Sequence, residues 1–178
     1  MKTKIILGII IFSFLLFALM PRILAQNSEQ VSSNQILLEE PGILPDSDFY
    51  FLKIWKEKIQ LFFTFRAENK AKLYLHLSEI RLVEYQKMIE QNKFEIAQQV
   101  LEKYQNQLNL ALEKLEQIKS KGQNVESLSQ KISVATLKHT QVIEQNLLKN
   151  PDQAAKGLNN ALEASQKGYL KAQNALKK

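Results

Sequence analysis

The sequence predicts an all-α protein: an up-and-down antiparallel bundle of four long helices, with one short aromatic amphipathic helix packed on it. Three observations lead there. Only five glycines and four prolines interrupt 178 residues, so long uninterrupted helices are expected. Apolar residues recur at spacings of three and four over long polar stretches, and no stretch shows the alternation of a half-buried strand. Bulky residues are concentrated in one place: residues 41–65 hold seven of the fifteen aromatic residues, including the only tryptophan, Trp55.

The chain opens with Lys2 and Lys4 ahead of an uncharged apolar run, residues 5–20. This is the pattern of a secretory signal or a membrane anchor. Sixteen helical residues reach roughly 24 Å at 1.5 Å each, short of a hydrocarbon core of about 30 Å, which favours a cleaved signal. Cleavage after Ala25 would set Ile23 where a small residue is preferred, so an uncleaved anchor stays open. Either way the basic start places the remainder outside the cytoplasm, secreted or held on the outer face of the cytoplasmic membrane. Residues 26–40 are polar at first and without a clear period, and read as a flexible linker. Residues 41–178 read as a single helical domain.

Pro41-Gly42 signals a turn. Pro45 sets up a helix start, with Asp46 or Ser47 as the cap. The first helix is expected over residues 48–63. Phe51, Trp55, Ile59 and Phe62 form one apolar line, widened by Phe49, Leu52, Ile54 and Phe63, with Lys53, Lys56, Glu57, Lys58 and Gln60 on the polar side. In one reading this face packs onto the bundle, with Phe51, Trp55, Phe62 and Phe63 as the core anchor, each burial stabilising by about 1.5–3 kcal/mol. If those four prove exposed, they are instead an interaction surface. In another reading the helix lies in a membrane surface, rings down and lysines toward anionic lipid.

Four long helices follow. Residues 66–91 carry Leu73, Leu77, Ile80 and Met88 on one line, and Asn92 is a left-handed stop. Residues 93–121 are the clearest: Phe94, Ala97, Leu101, Tyr104, Leu108, Ala111, Leu115 and Ile118 make a coiled-coil seam of more than three heptads, closed by Gly122. Residues 125–149 repeat it with Val125, Leu128, Ile132, Ala135, His139 and Val142. Asn150-Pro151 breaks the pattern. Residues 152–177 place Ala155, Leu158, Leu162, Ser165, Tyr169, Ala172 and Leu176 inward. Their small size permits close approach, and the short loops imply antiparallel neighbours.

Composition restricts function. There is no cysteine, which excludes disulfides, thiolate metal sites and a cysteine nucleophile. Of 24 basic residues, Lys2, Lys4 and Arg22 lie in the leader, leaving 21 against 18 acids. A surplus of three, with lysines alternating with glutamates, argues against a nucleic-acid partner. His139, on the inward seam, is the one ligand candidate; a metal role would need Glu144 or His76 nearby, and a satisfied core histidine is the simpler expectation. His76 reads as an edge residue. Glu79, Glu84, Glu90, Glu102, Glu113 and Glu116 read as solvated faces. No stretch sets two acids in an apolar setting for acid–base work, so no catalytic residue and no cofactor is expected.

The opening segment resembles a bacterial exported family, domain of unknown function 5667. The resemblance rests on Leu44-Pro45-Asp46-Ser47, Phe49-Tyr50-Phe51-Leu52-Lys53, Trp55, Glu57, Ile59 and Leu61-Phe62-Phe63-Thr64-Phe65. It continues loosely through residues 70–111 and from His139 to Leu162, and covers most of residues 44–176. Asp48 stands where a proline is common, and Arg66-Ala67 replaces an Asp-Pro-like pair, so the first two helices are expected to join with a bend. The resemblance implies an exported helical domain and brings no catalytic residues. The expectation is thus a non-enzymatic helical binding or scaffold module of the cell envelope, acting on a protein or peptide or on a copy of itself. The alternatives are an envelope ligand or metal sensor using the bundle interior, and a peripheral membrane protein using the aromatic helix.

Overall fold

A computed structural model describes residues 40–149 and 155–177. The leader (1–25), nearly all of the linker and the Asn150-Pro151 break lie outside the described residues. Those described belong to one compact unit, Gln35–Lys178, and among them there are helices and no strands. The helices are α1 (Tyr50–Phe63), α2 (Ala67–Glu90), α3 (Phe94–Ser120), α4 (Glu126–Lys149) and α5 (Ala155–Leu176).

Helix ends follow local chemistry. Ser47 Oγ accepts from Phe49 N at 3.2 Å, but Asp46 is drawn away into an ion pair with Lys93. The first helix begins at Tyr50, two residues later than expected, with no side chain capping its N-terminus. The break after it is clean, not a bend: Thr64 and Arg66 are both extended, and Thr64 Oγ1 donates to Gln60 O at 2.6 Å. Asn92 takes the left-handed conformation at φ 58° and Gly122 at φ 68°, ending α2 and α3 where the sequence predicts.

α2 packs on α3, and α4 on α5; the two hairpins lie side by side through α3–α5 and α2–α4. Side-chain pairs give the directions. Ser133 meets Gln173 and Thr140 meets Ser165, so α4 and α5 are antiparallel. Lys119 donates to Asn174 O, while Lys171 lies 3.7 Å from Glu116; with Gln98 against Gly157, this makes α3 and α5 parallel. α2 and α4 also run parallel, since Glu68 lies beside Glu126 and Glu79 beside His139. The expectation that every short loop joins antiparallel neighbours is therefore corrected: α3 and α4 follow one another but are not a closely packed pair.

Small residues explain the choice. Gly157, Leu158, Ala161, Ser165, Gly168 and Ala172 are the buried residues of α5, and a Cβ on Gly168 would stand 2.9 Å from Thr136 Cγ2 and 3.6 Å from Leu108 and Leu112. The helix fits between α3 and α4 because it has almost no side chain there. The α3 seam is buried from Ala97 to Ile118, and the α4 seam from Val125 to Val142. On α2 the expected line is displaced. Leu73 and Ile80 are half-buried, while Ala71, Leu75, Ser78, Leu82 and Tyr85 face the bundle. A second buried row, Leu77, Arg81, Glu84 and Met88, lies beside it.

Candidate functional site

The second buried row of α2 orients α1. Arg81 and Glu84 are three residues apart, one turn of helix, so both project to the same side. Arg81 Nη1 donates to both oxygens of Glu84, at 2.8 and 2.7 Å. α1 covers this charged strip with its polar side. Glu57 pairs with Arg81 and Lys53 with Glu84. Tyr50 donates to Glu84 at 2.9 Å and accepts from Arg81 at 3.1 Å. Lys53 also donates to the carbonyls of Pro41 and Ile43, which ties down the preceding turn. Lys103 of α3 stands 5.0 Å above the Tyr50 ring, a cation–π contact.

The cluster joins two anions, Glu57 and Glu84, with two cations, Arg81 and Lys53. All but Lys53 are buried. Burial holds the Glu57 carboxyl above its usual range, opposed by the guanidinium of Arg81. Burial likewise raises the Tyr50 phenol and lowers the Lys103 ammonium. Two expectations are corrected here: Glu84 is not on a solvated face, and two acids are brought together in a water-poor setting. The sequence signal was Arg81 within Ile80-Arg81-Leu82-Val83, one turn before Glu84 and in register with Leu77 and Met88.

Because the polar side faces in, the apolar side faces out. Phe51, Trp55, Phe62 and Phe63 are exposed to 63, 67, 70 and 64%. Their expected place as the core anchor is corrected, for a physical reason: a ring cannot replace the lysine and glutamate that Arg81 and Glu84 require. Leu52 and Ile59 share the exposed face, and Phe49 and Phe65 extend it at either end. Phe62 and Phe63 stack edge to face, 5.2 Å apart. An open groove of about 540 Å³, lined by Phe63, Phe65, Arg66 and Leu73 among others, continues the surface onto α2.

His139 is fully buried, as its seam position predicts. Its Nδ1 lies 3.3 Å from Tyr104 Oη, the rings meeting edge to face. Its Nε2 faces Glu79 Oε1 at 3.7 Å, beyond hydrogen-bond length but within electrostatic reach. Glu144, the expected companion, is exposed. Among the described residues no three of His, Cys, Asp and Glu gather as a metal site would require. Burial lowers the His139 pKa, against the pull of Glu79. A histidine whose folded pKa lies below its unfolded value takes up its proton first in the unfolded chain. Stability is then complete above about pH 6.5 and falls as pH drops below it, with a slope approaching ~1.4 kcal/mol per unit. Melting curves between pH 7.5 and 5 on the order of half a unit apart should show that decline, and His139→Gln should flatten it.

An all-helical bundle carrying an outward-turned aromatic helix is the class these features define. The profile of the family described as Domain of unknown function (DUF5667) matches residues 42–153, and the chain belongs to that family. The match includes both the charged cluster and the aromatic face. No curated protein and no solved structure matches the chain.

Proposed function

We propose that this chain is an exported, non-enzymatic helical module that works through the outward face of α1, presented on the outer side of the cytoplasmic membrane. One observation carries the reading. Six large apolar side chains are held largely in solvent on a helix whose back is fixed to the bundle by charge, each forgoing part of the roughly 1.5–3 kcal/mol that full burial would bring. A contiguous apolar surface of this kind marks a binding site more often than a structural accident, and its Trp and Phe content is that of an interface centre. The buried ionic cluster is the mount that keeps the face turned outward. The leader expected at residues 1–25 supplies the export.

Photo-crosslinking in intact cells tests this. Phe62→benzoylphenylalanine in the full chain should yield adducts, whereas the same replacement at exposed Glu102 on α3 should not. Adducts at neither position, or equally at both, would overturn the reading.

A further inference from the structure

We infer that the surface α1 binds is an anionic lipid bilayer, with the helix lying flat in the headgroup region. This deepens the reading of α1 as the binding face and rests on it. At about 100° of rotation per residue, Phe51, Phe62, Trp55, Ile59, Leu52 and Phe63 fall in that order within a sector of roughly 120°. Lys58 lies just beyond one margin of the sector and Lys56 just beyond the other, both exposed. An apolar stripe rich in rings and bordered on both sides by lysine is the arrangement of a helix sunk a few ångströms into a membrane surface. The stripe enters the acyl boundary, and the ammonium groups reach back to lipid phosphates.

Two further features choose lipid over a second copy of the chain. Pairing α1 with itself face to face sets margin against margin. In the antiparallel arrangement Lys56 meets Lys56 and Lys58 meets Lys58; in the parallel one Lys56 meets Lys58. Either brings cations together as the rings are desolvated, whereas an anionic surface is complementary along both edges. The face is also the outer side of α1, whose opposite side, with Tyr50 and Glu57 buried and Lys53, Ile54 and Leu61 half-buried, is turned to the bundle. α1 has 14 residues, about 21 Å of helix, and no described helix is long and apolar enough to cross a membrane. Contact along the surface is the geometry left to α1. A leader read as a membrane anchor, at residues 1–25 of the same chain, would keep α1 close to such a surface.

Trp55, the only tryptophan, reports the outcome directly. The full chain is mixed with vesicles of phosphatidylcholine alone or with phosphatidylglycerol added, and Trp55 emission and acrylamide quenching are followed. The expected result is a blue shift and loss of quenching on phosphatidylglycerol vesicles, little change on phosphatidylcholine, and reversal by added salt. Lys56→Glu with Lys58→Glu, which leaves the buried cluster intact and should leave circular dichroism unchanged, should weaken the response at least roughly tenfold. Equal shifts on both vesicle types, or shifts unaffected by the double variant, overturn the anionic-surface inference. A shift without lipid that grows with protein concentration also overturns it, in favour of self-association, while leaving α1 as the binding face. Emission that stays exposed throughout, together with photo-adducts at Phe62 to protein, does the same in favour of a protein partner; without adducts, both readings fall.

Discussion

Arg81→Met lowers the unfolding free energy by ~3–5 kcal/mol, because Glu57 and Glu84 are left buried with one cation fewer. Lys53 cannot compensate, since its ammonium already serves Glu84 and the carbonyls of Pro41 and Ile43. The loss should be pH-dependent with a definite sign. Burial already raises the Glu57 pKa, and removing Arg81 raises it further. A carboxyl whose folded pKa exceeds its unfolded value binds a proton more readily when folded, so acidification through that window restores part of the variant's stability. Urea denaturation of the variant at pH 7 and at pH 5 checks both parts. A change below about 1 kcal/mol would show that water reaches the cluster and screens it as it does surface pairs.

The second large effect lies at the centre of the bundle. Tyr104→Ala should cost ~3–5 kcal/mol, the range for removing a large buried ring. Tyr104 has no exposed surface, packs edge-on against His139, and stands on the α3 seam with Leu101 and Leu108. Tyr104→Phe keeps the ring and loses the hydroxyl's contacts with His139 Nδ1 and Ser165, so about 1 kcal/mol is expected. The ratio of the two losses, from chemical denaturation, separates packing from hydrogen bonding. Comparable losses would mean that the polar seam around His139, Ser165 and Thr136 contributes more than the ring's volume.

The seams of α3 and α4 were legible because single heptads run along them unbroken, from Ala97 to Ile118 and from Val125 to Val142. So were the stops at Asn92 and Gly122, where a left-handed residue is a local requirement. α2 was harder for a physical reason. It buries two adjacent rows, one against the bundle and one beneath α1, and their overlap blurs the period near Leu73 and Ile80. The orientation of α1 is not legible in its own segment, because hydrophobicity alone turns its rings inward. The decisive partner, Arg81 with Glu84, is contributed by another helix more than twenty residues on. The stripe's residue types were nevertheless plain, and a conditional reading as an interaction surface followed from them. Pairing of α3 with α5 in parallel could not be seen in loop length; it depends on Gly157, Ala161 and Gly168 coming into register with α3 and α4.

The hairpin arrangement has a bearing on how the chain acquires its shape. α2 meets α3 across the three residues 91–93, so much of that pair's contact is between near neighbours in sequence, and such topologies fold quickly. The parallel seams α2–α4 and α3–α5 join residues far apart in sequence and are expected to close after the hairpins. The expected order is two rapid local closures followed by one docking step, with glycine-lined α5 as the surface on which that docking succeeds or stalls.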